Sequence, residues 1–107
     1  SPSIVWNGTN FFVVWQDLRS ESTEDVYGAR LDASGNLLDP AGILLSTAPD
    51  GQYVPSVAWN GSNFLVVWED FRNGSDYDIY GTRVSPSGTV LDPLGIPVSP
   101  AAGDQRL

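Results

Sequence analysis

The chain has 107 residues, 41% of them hydrophobic and 17% charged, which suits one packed domain rather than a disordered tail. Its net charge of −8, from 13 acidic residues against 5 arginines and no lysine, disfavours phosphate backbones and anionic membrane surfaces as partners. It contains neither Cys nor His, which excludes disulfides, thiolate and imidazole metal sites, cysteine nucleophiles and a Ser-His-Asp triad.

In chain order the first distinctive stretch is "WNGTNFFVVW", Trp6 to Trp15, a polar turn set before an apolar wall. It returns as "WNGSNFLVVW", Trp59 to Trp68. Sliding the sequence against itself by 53 positions aligns Pro2–Val54 with Pro55–Leu107 without a gap, and 27 pairs are identical. A tandem period of this size marks a solenoid, a propeller or an array. The two units run 1–54 and 55–107.

Each unit reads as four β-strands. In the second, Pro55–Trp59 is the first strand and Asn60-Gly61 a hairpin turn in which both residues tolerate positive φ. Asn63–Asp70 is the second strand. A polar loop, Phe71–Asp78, leads to Ile79–Val84. Ser85–Gly88 then turns into Thr89–Asp92, and "PLG" interrupts that run before Ile96–Ser99 resumes it. Nothing has a convincing helical period. No apolar run approaches the ~18 residues of a transmembrane helix, and with no Met and no visible signal peptide the chain reads as a processed or excised piece.

The runs Phe11 to Trp15 and Phe64 to Trp68 are apolar on both parities, as in a sheet covered on both faces. That pattern fits blades sandwiched between blades. The expected fold is therefore an all-β propeller with two four-stranded blades per chain. Phe11, Val13, Trp15 and Tyr27, with their counterparts Phe64, Val66, Trp68 and Tyr80, are the expected interblade packing residues.

"VAWNGSNFLVVWEDFRNGSDYDIYGTRVSPSG" resembles the TolB-type, WD-like propeller repeat. The likeness rests on Trp59, Asn60-Gly61, Val66, Trp68, Asp70, Arg72, Gly74, Asp78, Ile79 and Tyr80. In the first unit Trp6, Asn7-Gly8, Val13, Trp15, Asp17, Arg19, Asp25, Val26 and Tyr27 carry it. The likeness covers about two-thirds of each unit and departs in the shorter Asn-Gly turn and the longer final section. It implies the fold and little about a ligand.

Two blades do not close a ring that needs 4 to 8. Left alone they expose more apolar surface than a monomer usually shows. The segment "GDQRL" at the C-terminus matches "DGQYV", which runs into Pro55, so Leu107 of one chain leads towards Pro2 of another. The expectation is a head-to-tail homo-oligomer, three or four chains forming six or eight blades.

The recurring polar residues Asp17, Arg19, Asp25, Arg30 and Asp70, Arg72, Asp78, Arg83 read as a network tying down loops. The competing reading is a calcium site on Asp70, Asp76 and Asp78 with Asn73, although the spacing is not that of an EF-hand. No other cofactor is expected. Trp6, Trp59, Tyr77 and Asn73 are the candidates for contact with a glycan or protein ligand, repetition giving avidity. Asn7, Asn60 and Asn73 begin N-glycosylation patterns, though the first two also serve turns. The functional expectation is a non-catalytic, self-assembling module with repeated binding surfaces, acting outside the cell or in the cell envelope. Its rivals are a purely structural array and, less favoured, a sialidase-like glycoside hydrolase fragment. The arginines are two repeat-equivalent pairs plus Arg106, which suits scaffolding better than one asymmetric pocket.

Overall fold

A computed structural model describes residues 2–19, 24–46, 51–74 and 76–99. Among them there is no helix; eight strands form two four-stranded antiparallel sheets, each in simple sequential order. The first holds β1 (Ser3–Trp6), β2 (Asn10–Asp17), β3 (Asp25–Asp32) and β4 (Ile43–Leu44). The second holds β5 (Gln52–Trp59), β6 (Phe64–Asp70), β7 (Asp78–Val84) and β8 (Ile96–Ser99).

The opening hairpins differ in one detail from the turn expected of Asn-Gly. Gly8 and Gly61 take positive φ, 98° and 94°, but the asparagines before them do not. Instead Asn7 Oδ1 accepts hydrogen bonds from the amides of Thr9 and Asn10, and Asn60 Oδ1 from those of Ser62 and Asn63. The side chain, not a left-handed backbone, makes Asn the residue of choice there.

Two boundaries also shift. Thr89–Asp92 contributes only an isolated bridge, Val84 to Val90, rather than a strand. β5 begins at Gln52, ahead of Pro55, so the residues joining the units already belong to the second sheet. Gln52 and Tyr53 lie opposite Asp70 and Glu69, and a bulge then precedes the Ser56–Val67 pair. Val54, inside that irregularity, has a φ of 53°. The bulge accommodates Pro55, which has no amide to give a regular ladder.

The sheets stack face to face. Phe12, Val14, Val26 and Leu45 of the first meet Phe64, Val66, Trp68 and Val84 of the second in one buried core. Val5, Ile43, Val57, Trp59, Tyr80 and Val90 pack around it. Each fully buried side chain of this size contributes roughly 1.5–3 kcal/mol relative to exposure. Strand alternation means that the first sheet presents the even positions of β2, and the second presents Phe64, Val66 and Trp68 of β6. In repeat terms these are opposite faces: Phe12 corresponds to Leu65, and Phe64 to Phe11.

Candidate functional site

Because opposite faces meet, each sheet keeps one face outward, and each outward face is the counterpart of one that is buried. On the first sheet, register places Ile4, Trp6, Phe11, Val13, Trp15 and Tyr27 together on the outer side. These match the buried face of the second sheet. On the second sheet Leu65, Val67, Arg83, Ile96 and Val98 lie outward, matching the buried face of the first.

The repeat-equivalent residues record the difference directly. Phe12 and Leu45 are 0% exposed, whereas their counterparts Leu65 and Val98 are 42% and 56% exposed. Trp68, Phe64 and Val66 are fully buried, while Trp15, Phe11 and Val13 are half-buried. Of the eight expected packing residues, the structure brings Phe64, Val66, Trp68 and Tyr80 into the seam between the sheets. It leaves Phe11, Val13, Trp15 and Tyr27 on the open face. Phe12, Val14, Val26 and Leu45 fill the other side of the seam; none of them is among the packing residues expected from the sequence, where Val26 carries only the repeat resemblance.

The polar residues form two separate devices per unit. In the first, Asp17 accepts hydrogen bonds from Trp15 Nε1 (2.9 Å), Arg19 N (2.8 Å), Arg19 Nε (3.0 Å) and Arg19 Nη2 (2.9 Å). Arg19 also donates to the Ala41 carbonyl and lies 3.8 Å over the Tyr27 ring. Asp70, Trp68, Arg72, Leu94 and Tyr80 repeat every one of these contacts. The Arg19 hydrogen bonds, with that of Trp15, hold the Asp17 carboxyl well below the ordinary carboxylate range. Asp25 faces Asp17 across the strand pair; burial, then the Asp17 charge, raises its pKa.

The second device separates Arg30 and Arg83 from that group. Arg30 forks onto Asp39 at 2.9 and 3.0 Å through Nε and Nη2, and its backbone amide donates to the same carboxylate. Arg83 does the same with Asp92. The arginine hydrogen bonds lower the pKa of both aspartates. Asp39 and Asp92 were missing from the network expected from the sequence, although their identity across the repeat is a signal that could have found them. Their arginine partners, nine residues away, are fixed by the turn between β3 and β4.

The remaining candidates are placed as follows. Asp70 spends its carboxylate on Trp68 and Arg72, as above. Asn73 Nδ2 donates to Asp78, and Asn73 Oδ1 accepts from the Asp76 amide. Among the described residues no three acidic side chains converge as a metal cage would require. Trp6 is exposed and tilts against Phe11; Trp59 packs on Phe64 with centroids 5.1 Å apart, within the seam. Tyr77 sits between Phe71 and Tyr53, at 4.9 and 5.8 Å. No enclosed pocket lies among the described residues. Extended sheet faces, rather than a cleft, dominate the surface. No family model, curated protein or solved structure matches the chain, and none identifies the repeat as a propeller blade.

Proposed function

We propose that the chain is a non-catalytic assembly module whose copies stack head to tail through their open sheet faces, building the blades of a shared β-propeller. The outer face of the second sheet in one copy covers the outer face of the first sheet in the next. This contact repeats the seam already present inside each copy. Three or four chains supply six or eight blades, within the usual range. Ligands, where such an array takes them, meet the same loops many times over.

One observation carries this reading: exposure alternates between the repeats according to which face has a neighbour. Arg30 and Arg72, whose faces are covered, have side-chain exposures of 22% and 20%. Their counterparts Arg83 and Arg19 stand at 52% and 45% with the same bonds in place. The open faces are thus built to interior specification, down to their ion pairs. The repeat symmetry also dictates a heterologous contact, since each face is complementary to the other and not to itself.

Complementation tests it. Val13→Asp spoils only the outer face of the first sheet, and Leu65→Asp only that of the second. Each variant alone is expected to sediment as a monomer. An equimolar mixture retains one good pair of faces and is expected to give a 1:1 dimer that grows no further. A parent chain that stays monomeric at high concentration, or a mixture that stays monomeric, overturns the proposal.

A further inference from the structure

Gly35 and Gly88 occupy the same place in the repeat and the same kind of turn. Both take positive φ, 85° and 90°, and their amides donate to the carbonyls of Asp32 (3.0 Å) and Ser85 (2.9 Å). The turns close alike: the Asp32 amide bonds the Asn36 carbonyl and the Ser85 amide the Thr89 carbonyl, each at 2.9 Å. Their backbones match, but their surroundings do not.

The turn at Gly88 belongs to the second unit and rests on the first. A Cβ at Gly88 would lie 3.1 Å from Arg30 Nε, 3.5 Å from Arg30 Cζ and 3.2 Å from Ile43 Cδ1. Arg30 has little room to give way, because its guanidinium and its backbone amide are both bonded to Asp39. Glycine thus serves a second purpose here besides its φ: the backbone approaches a guanidinium too closely for a side chain. The contact lies at the end of the seam where Phe12, cross-strand neighbour of Arg30, stacks on Phe64, cross-strand neighbour of Val84.

One unit along, the same two elements stand on the open faces. Arg83 is pinned to Asp92 as Arg30 is to Asp39, and lies across from Leu65 on the outer face of the second sheet. The Gly35 turn follows Leu31, which lies across from Phe11 on the outer face of the first. Gly35 is exposed, where Gly88 is half-buried. The first turn also carries a charge that the second lacks. Asp32 stands where Ser85 does, its carboxylate held in the turn by the amides of Ser34 and Asn36.

We propose that Arg83 of each copy is the seat for the Gly35 turn of the next copy, and that this contact fixes the polarity and register of the stack. It rests on the head-to-tail stacking above and names the contact that aligns it. A face offering Arg83 accepts a face offering the acidic turn, whereas like faces bring together two arginines or two acidic turns. Complementarity of this kind selects the partner more than it adds affinity.

Sedimentation velocity on Gly35→Asn, Arg83→Ala and the double variant tests the seat, with Gly88→Asn as the internal control. Asparagine tolerates the left-handed backbone, so Gly35→Asn is expected to keep the parent's urea midpoint at low concentration. Its association is expected to weaken about tenfold, as overpacking a closed contact does. Arg83→Ala alone is expected to weaken association about threefold and to abolish the further loss from Gly35→Asn, because residues in direct contact couple. Gly88→Asn is expected to lower the urea midpoint, since its clash with Arg30 lies inside the chain. Gly35→Asn associating like the parent, or weakening association equally with and without Arg83, overturns the seat and leaves the stacking intact. An unchanged midpoint for Gly88→Asn also overturns it. A parent chain that stays monomeric overturns the stacking and takes the seat with it.

Discussion

Phe12 and Phe64 stack across the seam with ring centroids 4.7 Å apart and planes at 24°, yet they occupy different positions of the repeat. The counterpart of Phe12 is Leu65, and that of Phe64 is Phe11; both counterparts face outward. Each ring is therefore half of a contact whose other half is displayed on the surface.

That division predicts two kinds of mutant. Phe12→Ala and Phe64→Ala each open a cavity in the core and are expected to cost ~3–5 kcal/mol of folding stability. Leu65→Ala and Phe11→Ala are expected to leave dilute-solution stability within about 1 kcal/mol of the parent, as partly exposed sites usually do, while weakening association. Urea melts at low concentration, set beside sedimentation, separate the two effects.

Arg72→Ala and Arg19→Ala remove chemically identical bonds in different surroundings. The Asp70 side chain is 0% exposed, so loss of Arg72 strands a buried carboxylate at a cost of ~3–5 kcal/mol. Asp17 keeps access to water, and loss of Arg19 is expected to cost far less than loss of Arg72. Equal losses in dilute solution would remove the distinction between covered and open faces.

Acid should unfold the chain through its paired aspartates. The pKa values of Asp17, Asp39 and Asp92 are lowered in the fold, chiefly by their arginine partners. Their stabilising contribution is complete above the unfolded value of roughly 3.9 and is lost as pH falls through the lower folded values. Asp25, raised by burial, acts the other way: its ionisation opposes folding, and that penalty is relieved as pH drops through its raised value. The urea midpoint is expected to be flat or slightly rising from pH 7 to about 5, then to fall below about 4. Asp39→Asn is expected to flatten part of the acid limb.

Salt is expected to strengthen association. Each copy carries a net charge of −8, so copies repel at low ionic strength, and screening shortens the reach of that repulsion from about 30 Å at 0.01 M to about 8 Å at 0.15 M. The open faces are mainly apolar with their arginines already paired, so little attraction is lost to the same screening. Light scattering that falls as sodium chloride rises would contradict this.

Much of the architecture was legible because strand and turn signals are local. The Asn-Gly turns, the apolar runs of β2 and β6 and the four strands of each unit can be read from neighbouring residues. The choice of face cannot. Phe11-Phe12 and Phe64-Leu65 are nearly the same dipeptide, and only the order in which the sheets meet decides which ring is covered. Arg30 was likewise grouped with Asp17 and Asp25, because the turn that carries Asp39 back to β3 lies beyond any local pattern. β5 hid its first residues behind Pro55, which ordinarily ends a strand; here the bulge at Val54 lets the ladder begin earlier.

The matching of outer faces to inner ones has a consequence for growth. Repeat arrays usually finish with end units whose last surface is polar, and that surface stops addition. Neither sheet of this chain is such a terminus. In the proposed stack, addition of another copy would present afresh the same pair of surfaces, and chemistry would supply no stopping signal. Under that proposal only the turn angle per step, bringing the last copy round to the first, would limit the count; were that angle to miss closure, polymers would lengthen with protein concentration instead.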